Sequence, residues 1–267
     1  MVGFVHINKT GGTTVKFILR NSSWLRHCDL LPKRRRAVAE AGDIAFVQKV
    51  FFWGINSITG HSLRPWVDDL PVSINYFTML RDPLQRCLSH YQHVKRAQRR
   101  LGRDITFEEF MHDQRNTDYQ ARHIAGVPDV EKAKEILKSR FFFVGLMERF
   151  DESMRILQKI FPYPLTLQYR PLHVAKDNKA KQEILNSAAD RDLLSRGNQH
   201  DLALYAFVRD ELYPVYCRQA GLVGHEGDKP AQQPSACPVR YKLTRFYNHG
   251  IYRNLHKMRC LILRGRT

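Results

Sequence analysis

Acidic residues are scarce in this chain. Its 267 residues carry 26 Asp and Glu against 43 Lys and Arg, a formal charge of +17, and no acidic residue follows Asp228. A protein so charged attracts polyanions, whether nucleic acid, anionic membrane, acidic glycan or polyphosphorylated nucleotide, and charge alone does not choose among them. Cysteine is sparse as well: Cys28, Cys87, Cys217, Cys237 and Cys260 are odd in number, scattered, and form no C-x-x-C pair. Neither a disulfide framework nor a zinc site is indicated, and a reducing compartment fits. No run of about eighteen apolar residues occurs, and the chain enters its first strand without a basic leader and apolar h-region. It therefore reads as free of a transmembrane segment, cytoplasmic if complete; a Golgi-lumenal protein trimmed of an N-terminal anchor would look the same. Also missing are G-x-G-x-x-G and G-x-x-x-x-G-K-[ST], the signatures of a dinucleotide fold and of a P-loop NTPase.

What is present begins at once. Phe4-Val5-His6-Ile7 runs into Asn8-Lys9-Thr10-Gly11-Gly12-Thr13-Thr14 and then into the helix-period Val15-Lys16-Phe17-Ile18-Leu19. A strand, a Gly/Thr turn and a helix aim backbone N–H groups and a positive dipole end at one spot, and two glycines let the backbone approach a ligand. Lys9 adds a mobile charge, and Thr10, Thr13 and Thr14 add hydroxyl donors. That spot suits a phosphate or sulfate. The plainer alternative is a capped helix after a tight turn.

A second unit of the same kind lies further on. Ile74 to Leu80 reads as a buried strand and leads into Arg81-Asp82-Pro83-Leu84-Gln85-Arg86-Cys87-Leu88-Ser89, where Asp82 and Pro83 are the cap and first residue of a helix. Arg81 sits at the strand end, and Arg86 and Ser89 are three apart on the helix, so they form a second candidate anion site. Equally, Arg81 could pair with a carboxylate and Ser89 lie on the surface. Between the two units, Thr59-Gly60-His61 ends a short strand, and carboxyl ends of parallel strands are where ligands gather. His90 and His93 have a spacing open to metal, but no third ligand is evident and surface residues are the plainer reading.

The remaining pattern gives a capping box at Thr106 to Glu109, a helix from Asp129 to Lys138, a strand at Phe141 to Gly145, and helices at 150–161, 180–194 and 201–218. The loop from Gln168 to Lys176 carries Arg170 and His173, and Lys33-Arg34-Arg35-Arg36 forms a basic patch. Alternating strands and helices predict an α/β domain over residues 1–223, its central, mainly parallel sheet flanked by helices. Residues 224–267, with nine Lys and Arg after Gly224, read as a basic C-terminal tail, loosely packed or flexible.

The two anion loops, taken in order, resemble those of the carbohydrate sulfotransferases, most closely the heparan sulfate 2-O- and 6-O-sulfotransferase branch. Gly60-His61 falls where that branch places its base, and Phe142 to Glu148 and the run Asn198 to Tyr205 resemble its later strand and helix start. Asn8 stands where the family commonly has proline. The resemblance spans roughly residues 3–220 and implies a P-loop-like sulfotransferase fold. It also implies 3'-phosphoadenosine 5'-phosphosulfate (PAPS) as co-substrate, with no metal. By the same resemblance, Lys9, Thr10, Gly11, Gly12, Thr13 and Thr14 would hold the 5'-phosphosulfate and Arg81 with Ser89 the 3'-phosphate. Lys9 would stabilise the leaving oxygen and His61 would be the base. The acceptor would be a hydroxyl of a glycan, an acidic polysaccharide suiting the charge, and nucleic acid is not expected as a partner. A nucleotide-dependent kinase and a non-catalytic nucleic-acid-binding protein are the alternatives.

Overall fold

The computed structural model describes residues 1–32, 38–167, 169, 179–222 and 238–264. The basic run Lys33 to Arg36 and the loop bearing Arg170 and His173 lie outside the described residues. Five strands, β1 (Val2–Val5), β2 (His27–Asp29), β3 (Ser57–Gly60), β4 (Asn75–Leu80) and β5 (Phe141–Leu146), form one sheet in the order β2-β3-β1-β4-β5. Every neighbouring pair is parallel. Strands covered on both faces carry unbroken apolar runs, and central β1, Val-Gly-Phe-Val, is buried along its whole length. The α/β architecture expected from the sequence is thus the one observed.

Helices α1 (Gly12–Ser23), α2 (Ala41–Val50), α3 (Pro83–Arg99), α4 (Phe107–His112), α5 (Tyr119–Ala125), α6 (Val130–Arg140) and α7 (Phe150–Ile160) follow and separate the strands. Next come α8 (Lys179–Asn186), α9 (Ala188–Arg196), α10 (Gln199–Phe207), α11 (Tyr213–Gln219), α12 (Pro238–Phe246) and α13 (Arg253–Arg264). Their starts follow local chemistry. The Asp82 carboxylate accepts from Gln85 N at 2.8 Å with Pro83 opening α3, and Thr106 and Glu109 make both bonds of the capping box on α4.

Crossovers locate the crevice. From β1 the chain passes through α1 to β2, two places to one side; from β4 it passes through α3 to β5 on the other side. The carboxyl ends of β1 and β4 therefore flank the point where the connections part, the usual ligand position in open α/β sheets. Lys9 follows β1 and Arg81 follows β4.

The basic segment expected to lie loose is, over residues 238–264, a docked helix. α12, a π-helical turn (Tyr247–Tyr252) and α13 run on without a break. Thr244 and Tyr252 are fully buried. Asn248 Oδ1 accepts from Asp29 N at 2.7 Å, and Asn248 Nδ2 donates to His27 O at 2.9 Å. Leu31 N donates to the Tyr252 hydroxyl at 3.2 Å, and Arg259 reaches the buried Asp43 carboxylate at 2.8 Å. Composition registered the charge and overlooked the polar and aromatic face that docks it.

Candidate active site

Gly11 has φ 79°, a left-handed conformation that costs glycine nothing, and it opens α1 with no side-chain cap and no acidic residue in the first turn. The leading amides and the positive end of the dipole are left open to an anion. Gly12 packs on the His6 ring, and a Cβ there would come within 2.1 Å of ring atoms, so no side chain fits. Lys9 takes φ 72°, uncommon for a residue with a Cβ. Its ammonium has no hydrogen bond or ion pair among the described residues. Burial pushes its pKa down, and the charges of Arg96 and Arg81 push it further. Thr10 is buried and its hydroxyl donates to Ile7 O at 3.0 Å, which braces the turn from inside. Thr13 is exposed and Thr14 buried.

Arg81 joins the two loops directly, its Nη1 donating to Lys9 O at 3.2 Å. Burial again lowers its pKa, with Glu148 and Asp82 opposing. Ser89 is half-buried on α3, its hydroxyl unbonded among the described residues. Arg86, grouped with Ser89 on spacing, is held inside the fold. It is fully buried over the Tyr119 ring at 4.7 Å, with Nη2 donating to Asn116 O at 3.3 Å.

His61 is exposed to solvent. Its Nδ1 lies 2.8 Å from His6 O. A carbonyl only accepts, so Nδ1 carries the proton and Nε2 of the neutral ring keeps its lone pair. The ring stacks on His6 with centroids 3.9 Å apart. Crowding by protein lowers the His61 pKa, the His6 carbonyl partly offsets this, and the charges of Lys16 and Arg64 add to the lowering. His6 itself is buried with Nδ1 unpartnered. The parallel strands β1, β4 and β3 thus place Lys9, Arg81 and His61 at one edge of the sheet, linked by the His6 and Lys9 carbonyls. No group of three His, Cys, Asp or Glu side chains among the described residues could hold a metal ion. His90 packs edge-on against Phe110 and Tyr119.

Residues 2–208 match the sequence model of the sulfotransferase family. The chain is a sulfotransferase family member. A search of curated proteins gives no match.

In this sulfotransferase the second loop rests on residues that the sequence reading passed over. Arg81 N donates to Gln120 Oε1 at 3.0 Å, and Gln120 Nε2 donates to Arg81 O at 2.9 Å. Gln120 is fully buried. Its own amide and that of Ala121 donate to the Asp201 carboxylate at 3.0 and 2.7 Å. Burial pushes the Asp201 carboxyl up to about 6 against the charge of Arg86. Glu148 accepts from Asp82 N at 2.9 Å and from the Tyr205 hydroxyl at 2.7 Å. The run Asn198 to Tyr205 therefore braces the Arg81 loop from behind. Gln120 had no sequence signal, since one amide in a polar stretch looks like any other. Gln120→Leu leaves the Arg81 peptide groups unsatisfied, with an expected loss of about 1–3 kcal/mol in urea denaturation. An unchanged midpoint would mean that water replaces the amide.

Proposed function

We propose that this sulfotransferase takes PAPS as its donor and transfers the sulfuryl group to a hydroxyl of an acidic glycan, as the heparan sulfate 2-O- and 6-O-sulfotransferases do. The observation carrying this reading is the Lys9 ammonium at an uncapped helix start, crowded by Arg81 and Arg96 and without an acidic partner. Like charges gathered there favour an anion in the crevice. Along α3 the same field continues: besides burial, the charges of Lys9, Arg96 and Arg100 all lower the His93 pKa, and this supports an anionic acceptor.

PAPS supplies an activated sulfuryl group on a phosphate that can leave. The open amides from Gly11 to Thr13 suit the 5'-phosphosulfate, with the Thr14 amide already bonded to Gly11 O at 3.0 Å, and Arg81 with Ser89 suit the 3'-phosphate. Lys9 neutralises charge growing on the leaving phosphate oxygen. His61 Nε2 takes the proton of the acceptor hydroxyl as the oxygen–sulfur bond forms. We take residues 1–223 as the catalytic unit.

Thermal melts with 3'-phosphoadenosine 5'-phosphate and with Mg·ATP test the donor. A hundredfold excess of the bisphosphate over its Kd should raise Tm by roughly 5 °C or more, since ligand bound only to the native state stabilises it. Equal stabilisation by Mg·ATP would favour a kinase. Labelled PAPS offered with desulfated heparan, a neutral glycan and a tyrosine peptide tests the acceptor, and label should enter the acidic glycan.

A further inference from the structure

The docked helix over residues 238–264 is amphipathic in the reverse sense. A surface helix ordinarily turns its apolar stripe to the core. Here the core side is Thr244, Asn248, Tyr252 and His256, all buried and four apart. Outward stand Leu243, Phe246, Ile251, Leu255, Met258 and Ile262, with Phe246 65% and Met258 58% exposed. Their steps are three or four residues except from Phe246 to Ile251, where five would swing the stripe off its face in an α-helix. That step crosses the π-helical turn Tyr247–Tyr252, and an i→i+5 turn takes up the extra residue. One unbroken aliphatic stripe results.

Beside it lie Lys242, Arg245, Arg253 and Lys257, exposed and without an ion pair among the described residues. No acidic residue occurs from 229 to 267. Trp53 packs edge-on against Tyr247 at 5.0 Å, and Phe52 next to it is 82% exposed, so the apolar surface continues onto the end of α2. No helix among the described residues is long and apolar enough to cross a membrane.

We propose that residues 238–264 seat the protein on a membrane surface bearing anionic lipid headgroups. The stripe enters the acyl boundary while the cations meet the phosphates, as a basic amphipathic helix lying in the interface does. Charge selects this occupant. A second copy of the chain would bring two uncompensated cationic flanks together, and an acidic glycan would satisfy the cations while offering nothing to six aliphatic and aromatic side chains.

The test is flotation of the full chain with phosphatidylcholine vesicles, with and without phosphatidylserine. Binding should appear with phosphatidylserine, at least tenfold above phosphatidylcholine alone, fall at high salt, and shift tryptophan emission to the blue. Met258 lies in the stripe and Leu261, 66% exposed, beside it, so with Met258→Asp and Leu261→Asp Tm should hold while partitioning drops about tenfold or more. Lys242→Gln with Lys257→Gln should cost roughly fivefold per charge. Equal binding to both vesicles, or partitioning indifferent to these substitutions, overturns the proposal. Absent vesicle binding together with self-association that Leu261→Asp abolishes in sedimentation velocity assigns the face to a second copy instead.

Discussion

His61→Ala is expected to lower kcat by about 10²–10⁴, the usual worth of a positioned base, with affinity for 3'-phosphoadenosine 5'-phosphate unchanged. The imidazole donates through Nδ1 to His6 O, so its tautomer is set by the backbone of the loop that carries Lys9. His61→Gln can keep a hydrogen bond to that carbonyl and still cannot take a proton; it should be nearly as slow. A base must act as the neutral ring, and crowding by protein lowers the His61 pKa below the ordinary 6.5. Protonation therefore sets in only at more acid pH, and the acid limb of kcat/KM should lie below pH 6.5 and vanish in His61→Ala. Near-full turnover in both variants would place the base elsewhere. Asp68, engaged with Arg140 at 2.6 Å, Asp69 and the buried His6 would be the next to test.

Lys9→Ala should reduce kcat by about 10²–10³, comparable to removing one donor to a developing oxyanion. The lysine has no partner to lose, so Tm without ligand should stay near wild type or rise slightly as the positive charges around Arg81 and Arg96 are relieved. Lys9→Arg should recover binding better than turnover, because a planar guanidinium does not replace a compact ammonium at one oxygen. Burial and the neighbouring cations lower the Lys9 pKa. As pH rises its charge is therefore lost earlier than that of an ordinary lysine. The alkaline limb should shift accordingly in wild type and be absent in Lys9→Ala. An equal fall in kcat for Lys9→Ala and Lys16→Ala would mean a general field effect and remove the assigned role.

Short-range chemistry made much of this legible. The Gly/Thr turn, the Asp82-Pro83 start and the Thr106 capping box are local devices, and each appears where its residues stand. Strand β2 did not show, because His27-Cys28-Asp29 is three residues long with two polar ones and owes its state to pairing with β3. The pattern from 180 to 194 ran through a break at Ser187, which caps α9 by accepting from Asp190 N at 3.2 Å. Arg86 is a related case. Helical spacing places it three before Ser89, but Tyr119 and Asn116, distant in sequence, draw the guanidinium inward. Long-range partners of this kind decide the supports of the site, Gln120 and Asp201 among them, and no window of sequence contains them.

Strand β2 ends the sheet, and a sheet's last strand offers a row of unpaired peptide groups to any extended chain it meets. Asn248 occupies part of that row, its amide standing in for the missing neighbour by taking Asp29 N and giving to His27 O. Because Asn248 belongs to the helix that bears the outward stripe, pulling that helix away would uncover a template for strand addition. Conditions that detach residues 238–264, such as truncation or strong detergent, should therefore make this sulfotransferase more prone to aggregate through its sheet edge. Anchoring and protection from aggregation would then be two duties of one segment, inseparable by deletion and separable by substitution at Asn248.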